Sequence, residues 1–338
     1  MNLYDAAMSL PLRRLGRTGL MVSALGYGAR DIEGLPGGRD INEDTAARIL
    51  NTALDAGINF IDTSIEYGLS ETRIGRHIGH RRNEFFLATK AGCLLGVPHK
   101  PYVNHFRETV RFHIGNTPVW KAAKTVYRAV RPRPVNHIYT PQNIRAGLEQ
   151  SLRLLKTDHV DLLQFHGDPS LAKLQEHGAI DTLIDLKREG KVRFIGASTM
   201  LPDLEDLLAL DAFDVFQLPY SALERKHEDA MARAAAADVG IVIRGATAKG
   251  QASMRKGYNW HVWQKAGLDD LLDGMTPTQF ILRYTLSNPS LSTAIVGTVS
   301  IEHLQENVRT AMAGPLPPDV LAEANRRLER AGIAPGGY

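Results

Sequence analysis

Four ionisable side chains stand at places where short apolar runs of the chain end. Asp62, Lys90 and His166 each end such a run, and Tyr67 follows Asp62 by five residues. If the three runs are neighbouring parallel strands, their carboxyl ends lie together and the four groups converge on one small region. Taken singly, each residue is explained by packing or by the anchoring of a loop. Ionisable groups seldom cluster in this way without a function, so the combination favours a site for acid–base chemistry.

Eight apolar runs of this kind recur along the chain, and helical patterns separate them. Most are nearly continuous, which is typical of parallel strands that are covered on both faces. Strands are expected at 22–28, 58–64, 85–90, 160–166, 192–198, 214–221, 240–246 and 292–298. Eight strands alternating with helices predict an α/β fold, a (β/α)8 TIM barrel, with residues 1–338 as one domain. A doubly wound sheet is the alternative, but the first strand is not followed by the third glycine of its phosphate-binding fingerprint.

Helices are expected to begin at Asn42, Thr140 and Thr276, whose side chains can cap the free N–H groups of a first turn. Two further segments lie outside the eight strand–helix units. Residues 12–22 have turn residues between short apolar pieces, which predicts a β-hairpin before the barrel. Residues 94–139 form a long insertion after the third strand, which we expect to lie over the active-site mouth.

The composition argues against several classes of protein. A formal net charge of +3 is too small to predict nucleic-acid binding by the whole surface. The one cysteine, Cys93, cannot form an internal disulfide, and the first residues lack the basic and apolar pattern of a signal peptide. No apolar stretch reaches the length of a membrane span. We therefore expect a soluble, cytoplasmic protein that binds neither nucleic acid nor membrane.

At these residues the sequence resembles the aldo-keto reductase family. The motifs that carry the resemblance are LGYG (25–28), FIDTSIEYGLSETRIG (60–75), LATK (87–90), DHVDLLQFH (158–166), IGAS (195–198), FQLPYS (216–221) and IVGTVSIEHLQENV (295–308). They occur in the family's order and span nearly the whole chain. The resemblance implies a barrel that reduces aldehydes and ketones with NAD(P)H, and it makes Asp62, Tyr67, Lys90 and His166 the catalytic tetrad.

The roles that the resemblance gives these four residues agree with their chemistry. Carbonyl reduction needs a hydride from the cofactor and a proton for the nascent alkoxide. A tyrosine hydroxyl is a weak acid, but a lysine ammonium within a few ångströms favours its phenolate. Tyr67 is thus the expected general acid, and Asp62 is expected to keep Lys90 charged. His166 is expected to donate to the substrate oxygen and so orient the carbonyl.

The resemblance also implies how the nicotinamide end of the cofactor is held. Ser198 and Gln217 match residues that bind the carboxamide. Thr199 stands where the family usually has asparagine, and one hydroxyl offers less than an amide's paired donor and acceptor. Tyr220 either stacks on the nicotinamide face or packs at the end of the barrel; the sequence leaves both interpretations open.

The phosphates and the adenosine are expected where a strand leads directly into the last barrel helix, because free N–H groups of a first turn suit a phosphate. The remaining candidates for cofactor binding are Gly28, Arg244, Lys249, Gly250, Gly297, Thr298, Ser300, His303, Glu306 and Asn307. His303 stands where arginine or glutamine is common in the family, and Val299 can make no contact with a 2′-phosphate. We expect NADP(H), with only a modest preference over NAD(H).

The insertion is rich in basic and aromatic residues, which favours an anionic or large aromatic substrate beneath it. The alternative is a solvated basic surface or a contact within a homo-oligomer. Its histidines, His99, His105, His113 and His137, are irregularly spaced, so no metal is expected. The sequence names no substrate beyond a small-molecule carbonyl or alcohol.

Two other functions remain open on the same residues. Lys90 could form a Schiff base in a lyase, although a pairing with Asp62 opposes a free amine. The chain could instead be a cofactor-binding regulatory subunit without significant turnover, which the complete tetrad disfavours.

Overall fold

The computed structural model describes residues 9–33, 41–94, 137–248 and 258–336, and of residues 258–260 the backbone alone. The chain first forms an antiparallel hairpin from β1 (Leu12–Arg14) and β2 (Met21–Ser23). Arg13 lies opposite Val22 in this ladder. The hairpin predicted before the barrel is therefore confirmed.

Eight parallel strands follow the hairpin and close into a barrel. They are β3 (Leu25–Gly28), β4 (Phe60–Asp62), β5 (Phe86–Ala91), β6 (Val160–Phe165), β7 (Val192–Ser198), β8 (Val215–Pro219), β9 (Gly240–Arg244) and β10 (Thr293–Val296). Each strand pairs with the next one along the chain, and β10 pairs with β3 to complete the ring. All eight match predicted strands, so the (β/α)8 barrel is confirmed and the doubly wound sheet is wrong.

The helices begin where the capping residues predict. They are α1 (Glu43–Asp55), α2 (Ser70–His77), α3 (Pro141–Leu155), α4 (Leu171–Glu176), α5 (Ala179–Arg188), α6 (Asp203–Ala209), α7 (Glu228–Ala236), α8 (Tyr258–Lys265), α9 (Pro277–Leu286), α10 (Ile301–Met312) and α11 (Pro318–Arg330). The side chains of Asn42 and Thr140 cap α1 and α3 by accepting from the N–H three residues on. Thr276 and Gln279 form a reciprocal capping box at α9. These contacts satisfy N–H groups that a helix leaves free at its start.

The hairpin plugs the amino-terminal end of the barrel. An inner apolar cluster joins hairpin residues to side chains inside the barrel: Leu15, Leu20, Val22, Phe60, Ala88, Leu162, Val215 and Val242. Gly16, at φ +49°, lies so close to β9 that an added Cβ would sit 2.2 Å from the amide nitrogen of Gly240. The described hairpin thus closes this end of the barrel, and the carboxyl ends of the strands form the opposite rim.

Most of the predicted insertion, residues 95–136, lies outside the described part of the chain, so its placement over the mouth stays a prediction. Its last residues are described and return to the barrel, where the Ile138 N–H donates to the Gly92 carbonyl at 2.7 Å. In the described ranges no helix has both the length and the apolar character needed to cross a membrane.

Candidate active site

The four predicted catalytic residues come together at the carboxyl ends of three adjacent strands. Asp62 is the last residue of β4, Lys90 lies near the end of β5, and His166 directly follows β6. Tyr67 lies in the turn between β4 and α2, where its N–H donates to the Ser64 carbonyl. The Tyr67 and His166 rings are 5.8 Å apart, edge to face. Three neighbouring strand ends and one turn therefore suffice to assemble the cluster.

A buried ion pair forms the base of this cluster. Nζ of Lys90 donates to Oδ2 of Asp62 at 2.6 Å and to the Thr63 carbonyl at 2.9 Å. Both side chains are only 2% exposed. Burial alone would lower the pKa of Lys90, but the Asp62 carboxylate and Tyr67 outweigh it, so the pKa is raised. Lys90 is therefore held as an ammonium ion.

The second oxygen of Asp62 is held by two glutamine side chains. Oδ1 accepts from Nε2 of Gln217 at 2.9 Å and from Nε2 of Gln164 at 3.3 Å. Gln164 was not among the predicted site residues. The signal for it was available, because in a strand the residue two before His166 points to the same side. Gln217, predicted to bind the cofactor, thus uses its amide nitrogen to hold the carboxylate.

The Lys90 ammonium also faces the tyrosine. Its Nζ lies 5.2 Å from the centre of the Tyr67 ring. Tyr67 is half-buried, so a substrate can reach it, whereas Asp62 and Lys90 lie beneath it. Gly68 follows at φ +49°, a left-handed conformation that glycine adopts without strain.

Glu66 and His137 lie beside His166, the predicted catalytic histidine, and were not themselves predicted to contribute to the site. Oε2 of Glu66 lies 2.8 Å from Nδ1 of His166, and Oε1 lies 2.9 Å from Nε2 of His137. Burial would raise the pKa of Glu66, but the two imidazoles beside it outweigh burial and hold the pKa far below the usual range. Burial lowers the pKa of His166, although Glu66 opposes this shift. Glu66 directly precedes Tyr67 in the chain, whereas nothing in the sequence joins His137 to them.

The described candidates for cofactor binding occupy the other strand ends of the same rim. The tetrad uses β4, β5 and β6. Of the candidates on the remaining strands, Gln217 lies in the middle of β8, and the others end or directly follow their strands: Ser198, Thr199, Arg244, Gly297 and Gly28. An added Cβ on Gly297 would lie 3.1 Å from the Gly28 carbonyl oxygen, so the ends of β10 and β3 are close together. Lys249 and Gly250 lie outside the described residues.

The start of α10 has the predicted cap and one unexpected acid. Ser300 Oγ accepts from the His303 N–H at 3.2 Å, and the Ser300 N–H donates to Oγ1 of Thr298 at 3.1 Å. Ser300 Oγ also donates to Oε2 of Glu302 at 2.8 Å. The first turn that suits a phosphate thus already carries a carboxylate. Glu306 and Asn307 lie farther along the same helix and are half-buried.

Two predicted nicotinamide contacts have other partners in the structure. The Thr199 hydroxyl donates to the Met200 carbonyl at 3.4 Å, and the residue is fully buried. Tyr220 is 2% exposed, and its ring lies 6.5 Å from that of Tyr284. These contacts favour the packing interpretation of Tyr220 over a stacking one.

Comparison with known proteins agrees with this geometry. The model of the aldo/keto reductase family matches residues 24–328 of the chain. The chain belongs to that family. The resemblance noted in the sequence is confirmed, and this aldo-keto reductase is an oxidoreductase of a family that uses nicotinamide cofactors.

Similar proteins share most of the length of this aldo-keto reductase. L-galactose dehydrogenase from Arabidopsis thaliana is 27% identical over 320 residues, which covers 88% of this chain and 87% of the relative. NADH-specific methylglyoxal reductase from Escherichia coli is 27% identical over 238 residues, covering 68% and 64%. The holo form of an aldo-keto reductase from Bacillus halodurans has the same fold, with a TM-score of 0.74, 24% identity and coverage of 95% and 96%.

Proposed function

We propose that this aldo-keto reductase interconverts a small carbonyl compound and its alcohol with NAD(P)H, using Tyr67 as the general acid. The proposal rests on the buried ion pair of Asp62 and Lys90 and on the position of the Lys90 ammonium beside the Tyr67 ring. Nζ of Lys90 lies 2.6 Å from the carboxylate and 5.2 Å from the tyrosine ring centre. An ammonium so placed stabilises a phenolate, which is what proton donation from Tyr67 leaves behind.

The hydroxyl of Tyr67 donates its proton to the substrate oxygen as the alcohol forms, and in the reverse direction its phenolate takes that proton back. Nδ1 of His166 faces Glu66, so Nε2 is the nitrogen left to meet the substrate oxygen. Because Nδ1 donates to the Glu66 carboxylate, Nε2 is a donor only in the imidazolium form of the ring, which Glu66 favours and burial opposes. In that form Nε2 orients the carbonyl and stabilises its developing negative charge. Asp62 and Lys90 touch no substrate and act through Tyr67.

A nicotinamide cofactor supplies or accepts the hydride when it is bound. Residues of the rim fit this group. Nε of Arg244 is buried and has no hydrogen-bond partner in the described part of the chain, while Nη2 pairs with Asp168 at 3.6 Å. A small movement of this side chain would let Nε donate to a phosphate. The N-terminus of α10 adds a second site for negative charge. An added Cβ on Gly297 would lie 3.1 Å from the Gly28 carbonyl oxygen and 3.2 Å from Oδ2 of Asp31, so the missing side chain at Gly297 lets these two strand ends pack together.

The proposal includes a modest preference for NADPH. His303 is exposed on the first turn of α10, where it can meet a 2′-phosphate when it is protonated. Glu302 stands next to it, and its carboxylate repels the same phosphate. One partly charged histidine opposed by one carboxylate gives a weaker grip than an arginine with its bidentate fork. The difference in affinity between the two cofactors should therefore be small.

The geometry around Lys90 disfavours the Schiff-base alternative. A lyase of that kind needs a free amine, and Nζ donates to both Asp62 and the Thr63 carbonyl. The raised pKa of Lys90 keeps its nitrogen protonated. Failure of borohydride to trap a covalent adduct with carbonyl substrates is the matching expectation.

The test is oxidation of NADPH and of NADH across a panel of aldehydes, quinones and sugar-like ketones, with polyols and NADP⁺ or NAD⁺ for the reverse reaction. The parent protein and Tyr67→Phe are compared on each substrate. Turnover by the parent that is lost in Tyr67→Phe supports the proposal. A parent that binds cofactor but turns over no compound in either direction would instead indicate a regulatory subunit.

A further inference from the structure

His166 shares a cluster with Glu66 and His137, and the proposed reaction gives His137 no role. Glu66, His137 and His166 place one ligand atom each within 4.8 Å of one another. Their side chains are 17% and 19% exposed, so they lie below the surface but can be reached from it. We call these three residues the Glu–His–His cluster.

Hydrogen bonding alone does not account for the cluster. Oε1 of Glu66 and Nε2 of His137 are buried and 2.9 Å apart, yet neither atom has a hydrogen-bond partner among the described residues. The two atoms are close enough for an ion pair, but their hydrogen-bond geometry is poor, so a further group between them would satisfy both atoms better. A cation placed between them would satisfy both atoms at once.

The backbone holds His137 firmly in this position. The N–H of the next residue, Ile138, donates to the Gly92 carbonyl at 2.7 Å. The hydroxyl of Tyr139 donates to the backbone carbonyl of His166 at 2.5 Å, and its ring stacks on His137 with 6.3 Å between centroids. The two histidines are therefore tied to each other through structure other than Glu66. A site built in this way is pre-formed before any ligand arrives.

From this arrangement we infer that the Glu–His–His cluster is a site for one divalent transition-metal ion, with Zn²⁺ as the best match. Two imidazoles and one carboxylate are ligands that zinc uses with a fourth position left for water or another small ligand. Zinc bonds to nitrogen and oxygen are about 2.0–2.2 Å, so tetrahedral ligand atoms lie roughly 3.3 Å apart. Each imidazole nitrogen lies 2.8 or 2.9 Å from a different oxygen of Glu66, and one ligand atom of each residue lies within 4.8 Å of the others, so small side-chain movements would bring three ligand atoms to that spacing.

The site does not depend on the proposed reaction, because the ion would bind with or without turnover. Its ligands are far apart in the chain, which explains why the sequence shows no metal-ligand spacing. The thiol of Cys93 donates to the Leu94 carbonyl at 3.7 Å and is not among the ligand atoms that lie within 4.8 Å of one another, so the inference assigns no role to Cys93.

The experiment uses the full chain freed of metal by a chelator and titrated with Zn²⁺ by calorimetry at neutral pH. We expect one ion per chain. Substituting a residue that only hydrogen-bonds to a metal ligand typically weakens metal binding about 10–100-fold. Glu66→Gln and His137→Gln remove ligands themselves, so each should weaken Zn²⁺ binding by no less than about tenfold. His159→Gln is the matched control, since this histidine pairs with Asp158 at 2.7 Å far from the cluster. Cys93→Ser should also bind as the parent does.

A second probe guards against variants that fail to fold. Co²⁺ added to the parent should give the visible d–d bands of a tetrahedral site without the intense sulfur charge-transfer band. Those bands should be absent in His137→Gln that has the parent's circular dichroism. No Zn²⁺ binding by the parent, or binding that both ligand variants keep, would overturn the inference. Loss of binding in Cys93→Ser would overturn it as well, because the site would then be a different one.

Discussion

Lys90 donates a 2.6 Å hydrogen bond to Asp62, and both side chains are withdrawn from solvent at the end of adjacent barrel strands. The register of β4 and β5 produces this pair, because Asp62 lies opposite Ala88 and so comes close to the residue two positions on. A buried charge is tolerated when it is paired and its remaining hydrogen-bonding positions are filled. Gln217, Gln164 and the Thr63 carbonyl fill them here.

Replacing Tyr67 by phenylalanine should remove proton transfer and keep the shape of the site. We expect turnover to fall by at least the ~10²-fold that loss of a general acid typically costs. Cofactor affinity should change little, because Tyr67 lies on the tetrad side of the rim. Steady-state reduction rates and cofactor titration by fluorescence measure the two effects. Near-normal turnover in Tyr67→Phe would show that another group donates the proton.

Replacing Lys90 by methionine should abolish activity and destabilise the fold. The change leaves the Asp62 carboxylate buried without its partner, and breaking a buried pair costs roughly 3–5 kcal/mol. Urea unfolding of Lys90→Met and of Lys173→Met, an exposed lysine, gives the comparison. The double variant Lys90→Met with Asp62→Asn should recover part of the stability, since it buries no unpaired charge. Equal stability of Lys90→Met and the parent would contradict the pairing.

Much of the site followed from the sequence because it depends on strand ends. Apolar runs located the eight strands, and Asp62, Lys90 and His166 had to meet once those strands were neighbours. Contacts that depend on side-chain direction across the barrel were not visible in the sequence. One such contact is the hydrogen bond from Gln217 to Asp62. Another is the pairing of His137 with Glu66, which requires the last residues of the insertion to return to the rim of the barrel.

The local sequence was also not enough to assign a role to Tyr220 or to Glu302. An aromatic residue after a barrel strand is compatible with stacking on a cofactor and with packing, and only its burial against Tyr284 separates the two. In the sequence, Glu302 is an ordinary acidic residue of a first helical turn. Its hydrogen bond from Ser300 places the carboxylate where a phosphate would otherwise approach.

Glu71 should make stability depend on pH. Burial raises the pKa of Glu71 to about 7, although a hydrogen bond from the Thr89 hydroxyl at 2.6 Å acts to lower it. The folded protein therefore holds this proton more tightly than the unfolded chain, whose glutamate has a pKa near 4.3. The stabilising contribution is complete below that lower value and is lost as pH rises through about 7.

Glu71→Gln removes this titration and keeps an acceptor for Thr89. The free energy of unfolding of the parent, relative to the variant, should fall between about pH 5 and about pH 8. Urea titrations of both proteins at the two pH values give the difference. Glu224→Gln, an exposed change, should leave the pH dependence of the parent intact. A parent–variant difference that stays constant with pH would mean that Glu71 is ionised throughout.

Cofactor choice should respond to two neighbouring residues on α10 in opposite directions. Histidine changes charge near neutrality, and a bound phosphate dianion favours its protonated form. NADPH affinity should therefore decline as pH rises from about 6 to about 8.5, and NADH affinity should stay nearly flat, because a ribose hydroxyl gains little from the charge. His303→Ala should abolish the trend and bring the two affinities together. Glu302→Gln should strengthen NADPH binding alone.

The prediction is tested by the dissociation constants of both cofactors, measured across that pH range by quenching of tryptophan fluorescence. The two variants are matched, because His303 and Glu302 are both exposed and lie in the same helical turn. Each therefore serves as a structural control for the other. A strong NADPH preference that does not change with pH and is unchanged in His303→Ala would show that a different cationic side chain binds the 2′-phosphate. A strong preference for NADH that Glu302→Gln relieves would mean that the carboxylate, and not the histidine, dominates this end of the site.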